Sequence, residues 1–302
     1  MRIAELNRPD EMIYPGHNAC PGCGAALAVR YLTKTLGKNI ALVLTASCWS
    51  IISGMPPLTA LKCPILHCPF PSAGSVGSGV RRGLNAKGLY DTTVVVLAGD
   101  GGTFDIGLQA LSGAAQRNED YIFVCYDNEA YMNTGMQTSS ATPFGARTNT
   151  APYPLYKEGE KKDIMQIMAA HTVPYAATAT VAFPADLEEK LKIAQSIRGF
   201  RFIHILAPCP PGWGTESADT IEVSRLAVAT GFFPLYEVRN GNEWRLTVPA
   251  DMKSVSLSEY LGKQRRFKEM DDRRLKELQH EINRDYERLL DKVAKYSAEI
   301  QQ

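Results

Sequence analysis

The sequence has no excess of charge and no long apolar run, and each absence excludes a class of function. Its 302 residues carry 33 Lys and Arg against 32 Asp and Glu, without a basic stripe that would neutralise a phosphate backbone. No apolar run approaches the roughly 20 residues that cross a bilayer, and residues 1–12 lack the order of a signal peptide. We therefore expect a cytoplasmic protein that has neither nucleic acid nor a membrane as its partner.

Cysteine is too sparse for a disulfide scaffold. The chain has seven cysteines, an odd number, in a long sequence that is 45% hydrophobic and 22% charged. It also lacks internal repeats, low-complexity segments and the CxxCxxCxxxC spacing of ferredoxin-type clusters. The composition indicates a globular protein with one large core or two modest ones, and it favours metal ligation or thiol catalysis for the cysteines.

Short apolar runs rich in β-branched residues alternate with segments of helical period, as is typical of parallel strands joined by helices. Four runs predict strands, at 39–47, 92–98, 121–126 and 201–207. Apolar residues at spacings of three and four predict a helix between the second and third strands, namely Phe104, Leu108, Leu111 and Ala115. Further helices are expected at about 163–171 and 185–198. The pattern predicts an α/β fold with a mostly parallel sheet and helices on both faces.

From about residue 248 the composition becomes charged and poor in glycine. Apolar residues then recur every three or four positions and predict one long amphipathic helix, with Leu275, Leu278, Ile282, Tyr286, Leu289, Val293, Tyr296 and Ile300 on one face. We therefore divide the chain into a domain at 1–247 and a helical extension at 248–302. The extension is expected to pack on its own domain or on a neighbouring subunit, with a free-standing coiled coil as the alternative.

Unusual residues follow each predicted strand. Cys48 follows the first strand, GDGG the second, DNEAYMNTG the third and PCPPGWG the fourth. In open α/β sheets, ligands bind at the carboxyl ends of strands, where loops converge and helix N-termini favour anions. We therefore expect the four loops to meet near one edge of the sheet.

The GDGG loop predicts a diphosphate site with a bound cation. Three glycines would let the backbone approach a bulky anion and present amide donors, namely Gly99, Gly101 and Gly102. Asp100 then offers a carboxylate oxygen to a divalent cation, and Asn128, 28 residues later, returns beside it with a side-chain carbonyl. The backbone carbonyl of Ala130 points the same way. This spacing is the thiamine diphosphate fingerprint, and the alternative is a strand-to-helix turn with an aspartate cap.

Four cysteines lie in loops that this topology brings together, namely Cys20 and Cys23 of the CxxC motif, Cys48 and Cys209. Four thiolates suit either zinc or an iron–sulfur cluster, and ligand type alone does not separate the two. A redox-active pair is a third interpretation, but CPGC opens no thioredoxin-like βαβ pattern. The thiamine signature favours the cluster. Thiamine chemistry produces an electron-rich intermediate, and a nearby cluster could accept its electrons one at a time, whereas zinc could not.

Three cysteines and one histidine are left over. Cys125 lies inside a predicted strand and is expected to be a small buried hydrophobe. Cys63 and Cys68 are expected to be packed thiols, with cluster ligation or the lining of a substrate cavity as alternatives. His67 would titrate near neutral pH and is a candidate site residue, against the alternative of an ordinary loop histidine.

With these motifs together, the chain closely resembles the thiamine-diphosphate-binding β subunits of the 2-oxoacid:ferredoxin oxidoreductases, especially the pyruvate branch. The matching stretches lie between about residues 16 and 238 and are GHNACPGCGAALAVRYL, GDGGTFDIGLQALSGA, CYDNEAYMNTGMQTSSATPFGA, AAHTVPYAATATVAFPADL and HILAPCPPGWG. The resemblance implies the thiamine-diphosphate-binding fold and the oxidative decarboxylation of a small 2-oxoacid. Two electrons would pass singly to ferredoxin, and coenzyme A usually takes the acyl group in such relatives.

The resemblance also implies specific site residues. It implies a 4Fe-4S cluster on Cys20, Cys23, Cys48 and Cys209. It implies Mg²⁺ on Asp100, Asn128 and the carbonyl of Ala130, beside Gly99, Gly101 and Gly102. It implies further cofactor contacts by Ser47, Cys48, Trp49, His67, Asn133 and Thr134, of which Asn133 faces the thiazolium and the substrate.

Part of the active site is missing from this chain. Thiamine needs a carboxylate that activates its aminopyrimidine, and no stretch here is typical of a pyrimidine-binding domain. The resemblance implies that a partner α subunit carries this glutamate, and that γ and ferredoxin-like δ subunits or domains complete the complex. The chain alone is therefore expected to be inert.

One stretch departs from the family pattern. Residues 48–75 match pyruvate enzymes least and begin at Cys48, so the substrate stays open between pyruvate and another small 2-oxoacid, such as oxalate without coenzyme A. Two other interpretations remain. One is an acetolactate-type thiamine enzyme, which needs no cluster, and the other is a zinc-binding scaffold without activity.

Overall fold

Eight strands form one sheet in the part of the chain that the computed structural model describes, residues 11–54, 57–252 and 254–300. The strands are β1 (Ile40–Thr45), β2 (Ile65–Cys68), β3 (Thr93–Gly99), β4 (Tyr121–Asp127), β5 (Tyr175–Thr180), β6 (Phe200–Leu206), β7 (Leu235–Arg239) and β8 (Glu243–Val248). Their order across the sheet is β2-β1-β3-β4-β6-β5-β7-β8. Strands β1 to β6 are parallel, whereas β7 runs antiparallel to β5 and β8 runs antiparallel to β7.

Helices cover both faces of this sheet. They are α1 (Gly24–Leu36), α2 (Cys48–Ile52), α3 (Ala73–Ala86), α4 (Leu108–Gln116), α5 (Ile164–Ala170), α6 (Pro184–Ser196), α7 (Pro210–Trp213), α8 (Thr220–Ala229), α9 (Leu257–Gly262) and α10 (Asp272–Ile300). On one face α1 and α6 pack through Leu32 and Leu187, and on the other α4 and α5 pack through Leu111 and Met165. The predicted α/β fold is therefore confirmed, and the four predicted strands are its central strands β1, β3, β4 and β6.

The helix predicted from Phe104 to Ala115 is interrupted. Gly101–Asp105 form a π-helical turn, and α4 begins only at Leu108. A Cβ at Gly107 would lie 1.9 Å from the carbonyl oxygen of Gly102, so this wider turn requires glycine there. Such turns occur frequently at functional sites, and this one directly follows Asp100.

The C-terminal helix α10 lies against the core of its own chain. Leu278, Ile282 and Leu289 are buried, and the Tyr286 hydroxyl accepts a hydrogen bond from the backbone N–H of Ala250 at 3.0 Å. The predicted division between residues 247 and 248 falls at the end of β8 and stays a prediction.

Some predictions fall on residues 1–10, 55–56, 253 and 301–302, which lie outside the described residues, as do the side chains at 299 and 300. The predictions affected concern most of residues 1–12, the start of the first predicted domain and the end of the second. They also concern part of the divergent stretch 48–75 and the side chain of Ile300. No helix in the described ranges is both long enough and apolar enough to cross a bilayer.

Candidate active site

The carboxyl ends of β1, β3, β4 and β6 lie side by side, so the loops that follow them meet at one edge of the sheet, as predicted. Asp100 directly follows β3, and Asn128 directly follows β4. Cys48 begins α2 shortly after β1, and Cys209 precedes α7 shortly after β6. This edge is the candidate active site.

Asp100 is a buried carboxyl group beside other carboxylates. One of its oxygens accepts a hydrogen bond from the Ser139 hydroxyl at 2.5 Å. Burial and the charge of Asp127 raise the pKa of Asp100 well above its usual range, although the Ser139 hydrogen bond opposes the shift. Burial acts on Asp127 in the same direction, but Lys161 and His204 outweigh it and lower the pKa of Asp127. A bound divalent cation would do for Asp100 what these two side chains do for Asp127.

The side-chain amide of Asn128 points at two oxygen atoms. Its inward-facing atom lies 3.0 Å from the carbonyl oxygen of Ala130 and 3.1 Å from a carboxylate oxygen of Asp100. When that atom is the nitrogen, it donates to both oxygens. When it is the oxygen, three oxygens converge, and such a set needs a cation at its centre. The residues predicted to hold Mg²⁺ are therefore brought together, and the amide orientation with its oxygen inward is the one that suits a cation.

The loop after β4 is fixed from several sides. Glu129 has a φ of 65°, a conformation that a glutamate rarely adopts, and its N–H donates to the Asp127 carboxylate at 2.8 Å. The hydroxyl of Thr142 donates to the carbonyl of Glu129 at 2.7 Å, and His204 lies 2.8 Å from the other Asp127 oxygen. These contacts hold the backbone between Asn128 and Ala130 in its strained form.

The side chain of Glu129 forms a buried ion network that the sequence did not reveal. Its two carboxylate oxygens pair with Lys161 and Arg266, and Arg266 is 3% exposed. Burial alone would lower the pKa of Lys161, but Glu129 and Asp127 outweigh it and raise that pKa. The only signal in the sequence is a charged residue between two predicted metal ligands.

The glycines of the GDGG loop pack against aromatic rings. A Cβ on Gly101 would lie 2.4 Å from the Tyr131 ring, and one on Gly102 would lie 3.3 Å from the Phe70 ring. The Tyr131 hydroxyl in turn donates to Asp105 at 2.9 Å. Gly99 is less constrained, since its Cβ would lie 3.6 Å from the Tyr126 ring. A substitution at Gly101 would therefore displace Tyr131, whether or not an anion is bound.

Three loops carry the four predicted cluster ligands. Cys20 is exposed, whereas Cys23, Cys48 and Cys209 are half-buried. Burial raises the pKa of Cys48 to about 12, and Cys209, Cys23, Asp100 and Cys20 contribute in the same direction. Burial likewise raises the pKa of Cys209 to about 11, with Cys23 and Cys20 contributing. The four sulfurs are thus near enough to influence one another's charge.

The four sulfurs do not form a compact set of ligands for one ion. Within the described ranges, no group of three or more His, Cys, Asp or Glu side chains is arranged to hold a single metal ion. A zinc ion would need its sulfurs about 2.3 Å from the metal. A cluster of four irons is larger and accepts thiolates that stand further apart.

The glycines of the CxxC loop, Gly22 and Gly24, allow close packing of the backbone. A Cβ on Gly22 would lie 2.3 Å from the Ser217 carbonyl oxygen, and one on Gly24 would lie 2.7 Å from the Pro208 nitrogen. Gly24 N–H also donates to the Pro208 carbonyl at 3.0 Å. Both glycines therefore let the CxxC loop pack against the segment that contains Cys209.

Trp213 connects the segment of Cys209 to the loop of Asn128. Its backbone N–H donates to the carbonyl of Cys209, and its indole N–H donates to the carbonyl of Asn128, both at 2.8 Å. The indole is fully buried, and the Arg266 guanidinium lies 4.0 Å from the ring centroid. The candidate cation and cluster sites thus contact the same rigid side chain. The sequence analysis did not identify Trp213, although it lies in the unusual loop after the fourth predicted strand.

Ser47 and Trp49 flank Cys48 and hold its turn in place. The Ser47 N–H donates to the Ser50 hydroxyl at 2.7 Å at the start of α2. Trp49 is fully buried, and its indole N–H donates to the Ala25 carbonyl at 3.1 Å. Trp49 is thus tied to the helix that begins after Cys23, and its predicted contact with a cofactor stays a prediction.

The remaining predicted residues lie on exposed segments. Asn133 and Thr134 lie in a tight turn, where the Thr134 hydroxyl donates to Gln137 at 2.6 Å. His67 is exposed on the edge strand β2. Their roles as cofactor contacts stay predictions, and all three are accessible to a partner subunit.

The three leftover cysteines divide as follows. Cys125 is fully buried in β4, as expected. Burial raises the pKa of Cys63 to about 11, and it also raises the pKa of Cys68, where a hydrogen bond with Ser72 opposes it. Burial dominates both pKa shifts, as expected for thiols that pack against the protein.

Comparison with known proteins gives one family match, two close relatives and one similar solved structure. Residues 51–205 match the family described as thiamine pyrophosphate enzyme, C-terminal TPP binding domain. The chain is 46% identical, over 94% of its length and 97% of the relative's, to the pyruvate synthase subunit PorB of Methanothermobacter thermautotrophicus. It is 45% identical, over 93% of each chain, to the ketoisovalerate oxidoreductase subunit VorB of Pyrococcus horikoshii. Its fold is similar to that of a 2-oxoglutarate:ferredoxin oxidoreductase from Magnetococcus marinus, with a TM-score of 0.60 and 23% identity over 85% of this chain and 91% of that chain.

Proposed function

Because the chain belongs to the β subunits of the 2-oxoacid:ferredoxin oxidoreductases, a thiamine-diphosphate-dependent family, we propose that it binds Mg–thiamine diphosphate beside a 4Fe-4S cluster. Its reaction is the oxidative decarboxylation of a small 2-oxoacid, with the electrons passed to ferredoxin. The observation that carries this proposal is the convergence of the Asp100 carboxylate, the Asn128 side-chain amide and the Ala130 carbonyl, beside the four cysteines.

The residues present fit a cation that is bridged to a diphosphate. Asp100 has a buried carboxyl group beside the negative charge of Asp127, and Asn128 and Ala130 offer two further oxygens. The amides that follow Asp100 begin a helical turn whose positive end favours phosphate oxygens. Bound here, thiamine diphosphate supplies the electron sink that lets a 2-oxoacid lose carbon dioxide.

The cysteines fit a cluster whose ligands come from three segments. The charges of Cys20, Cys23, Cys48 and Cys209 influence one another across these segments. We prefer a multi-iron centre to zinc because a thiamine-dependent oxidation needs an electron acceptor, which zinc does not provide. Iron would keep these thiols deprotonated despite the raised pKa values of Cys48 and Cys209. A cluster in this place accepts electrons one at a time.

Partner subunits supply what this chain lacks. The relatives are named as subunits, so a larger assembly is the expected form of the enzyme. An α subunit would bring the pyrimidine-binding domain and the activating glutamate, and γ and ferredoxin-like δ subunits or domains would carry electrons onward. The exposed turn with Asn133 and Thr134 is where such a partner would cover the site.

The substrate is a small 2-oxoacid, and pyruvate is our first candidate. The pyruvate and ketoisovalerate relatives are almost equally similar, at 46% and 45% identity. Oxalate without coenzyme A is the alternative, because residues 48–75 depart from the pyruvate pattern.

A substrate panel with the co-purified complex tests the proposal. Carbon dioxide release and viologen reduction are measured with pyruvate, 2-oxoisovalerate, 2-oxoglutarate and oxalate, each with and without coenzyme A. We expect the highest kcat/KM with pyruvate and dependence on coenzyme A. Turnover of oxalate without coenzyme A would establish the alternative, and carbon dioxide release without viologen reduction would indicate an acetolactate-type enzyme instead.

A further inference from the structure

Arg266 comes from the C-terminal part of the chain but contacts Glu129, in the loop that carries two of the proposed cation ligands. It lies in the short 3₁₀ turn Arg265–Phe267 and is buried. One terminal nitrogen of its guanidinium pairs with Glu129, and Nε donates to the Gln264 side chain at 2.9 Å. The backbone carbonyl of Arg266 accepts from the N–H of Arg147 at 2.9 Å, so the turn itself is anchored.

Glu129, the partner of Arg266, lies between two of the proposed cation ligands in the sequence. Glu129 separates Asn128 from Ala130 and holds a φ of 65°, which costs free energy for any residue with a Cβ. Such a conformation persists only when surrounding contacts determine it. Removal of Arg266 would leave the Glu129 carboxylate paired with Lys161 only. One cation instead of two would then balance its buried negative charge.

A second contact of Arg266 reaches the same loop by another route. Its guanidinium stacks 4.0 Å from the centre of the Trp213 ring, whose N–H donates to the carbonyl of Asn128 at 2.8 Å. Trp213 also donates its backbone N–H to the carbonyl of Cys209. One arginine therefore braces both the loop of Asn128 and the turn that follows Cys209.

We propose that Arg266 is a positioning residue for the cation site, and that it acts by fixing Glu129 and Trp213 so that Asn128 and Ala130 present their oxygens to the metal. The inference rests on the proposed function. Lys161 reaches the same glutamate, but its ammonium group lies over the Phe232 ring, whereas the Arg266 guanidinium lies over Trp213. Arg266 is therefore the residue whose loss should loosen the loop from both sides.

The test is a Mg²⁺ titration of the assembled complex after chelator treatment, with thiamine diphosphate binding followed by calorimetry. Arg266→Met should raise the Kd for Mg²⁺ by roughly 10–100-fold, the range typical of lost supporting contacts around a metal site. The Kd of Arg266→Lys for Mg²⁺ should lie between those of Arg266→Met and the wild type. Lysine keeps the positive charge but lacks the planar guanidinium that stacks on Trp213 and offers several donors. The control is Arg284→Met, which removes the same charge from a surface pair with Glu160.

The readouts separate positioning from a general loss of structure. We expect Arg266→Met to keep the iron content of the wild type, because all four cysteines remain, and the KM for thiamine diphosphate to rise more than kcat falls. An unchanged Kd for Mg²⁺ in an assembled Arg266→Met complex would overturn the inference. If that variant does not assemble, Arg266→Lys decides: a Kd at least about 3-fold above the wild type supports the inference, and an unchanged one overturns it. A wild-type complex that binds neither Mg²⁺ nor thiamine diphosphate would instead refute the proposed function.

Discussion

Replacement of Asp100 by Asn is expected to abolish the binding of Mg²⁺ and thiamine diphosphate together. The carboxylate is the only anionic member of the proposed ligand set, and the neighbouring carboxylate of Asp127 is already paired with His204. A loss of at least about 100-fold in Mg²⁺ affinity is expected, because even supporting contacts are worth 10–100-fold. Equilibrium binding of both ligands to the purified complex measures it.

The matched control is Asp91→Asn. Asp91 is exposed and lies just before β3, whereas Asp100 lies just after the same strand. The control should bind both ligands as the wild type does. If Asp100→Asn retained Mg²⁺ and thiamine diphosphate, the metal assignment would be wrong.

Replacement of Cys209 by Ser is expected to remove the cluster while leaving the thiamine site in place. Ser lacks the thiolate that iron needs, so the visible absorbance of the anaerobic complex should fall in proportion to one cluster per chain. The affinity for thiamine diphosphate should stay within about 3-fold of the wild type, because the cation ligands lie on other loops. Viologen reduction should be lost.

The control for this experiment is Cys63→Ser. Cys63 is also half-buried, but burial is the cause of its raised pKa, with no contribution from the four-cysteine group. Its variant should keep the full cluster spectrum. If Cys63→Ser bleached the protein and Cys209→Ser did not, a different cysteine would be the ligand.

Much of the sheet was predictable because its central strands are short, uninterrupted apolar runs buried on both faces. That pattern located β1, β3, β4 and β6, and parallel topology alone then placed Asp100 beside Asn128. The strands that were missed lacked this signal. β5 is rich in alanine, and β7 and β8 contain charged residues, so tertiary pairing rather than local propensity makes them strands.

The support of the site was not predictable, because it comes from residues distant in sequence. No local pattern relates Arg266 to Glu129, although the two side chains meet in the core. Gly101 was assigned to an anion, while its contact in the fold is the ring of Tyr131. Periodicity identifies elements and loop ends, but it carries no information about which side chains fill the space between them.

The four proposed cluster ligands lie outside the residues that match the thiamine pyrophosphate family. The thiamine pyrophosphate domain matches residues 51–205, which contain Asp100 and Asn128. All four proposed cluster ligands lie outside that range. The proposed thiamine site thus lies in the part shared with other thiamine enzymes, and the cysteines flank that part, which agrees with our proposal of an electron exit added around a common domain.

The most direct test of the account is the metal and thiamine diphosphate content of the complex purified without oxygen, counted per copy of this chain. Wild-type complex should be compared with a complex in which Cys20, Cys23, Cys48 and Cys209 are all Ser. We predict that the wild type holds about four more irons per chain than the variant, with about one thiamine diphosphate and one Mg²⁺ in both and no zinc in either. Zinc in the wild type that the variant lacks, or equal iron in the two complexes, would contradict the account.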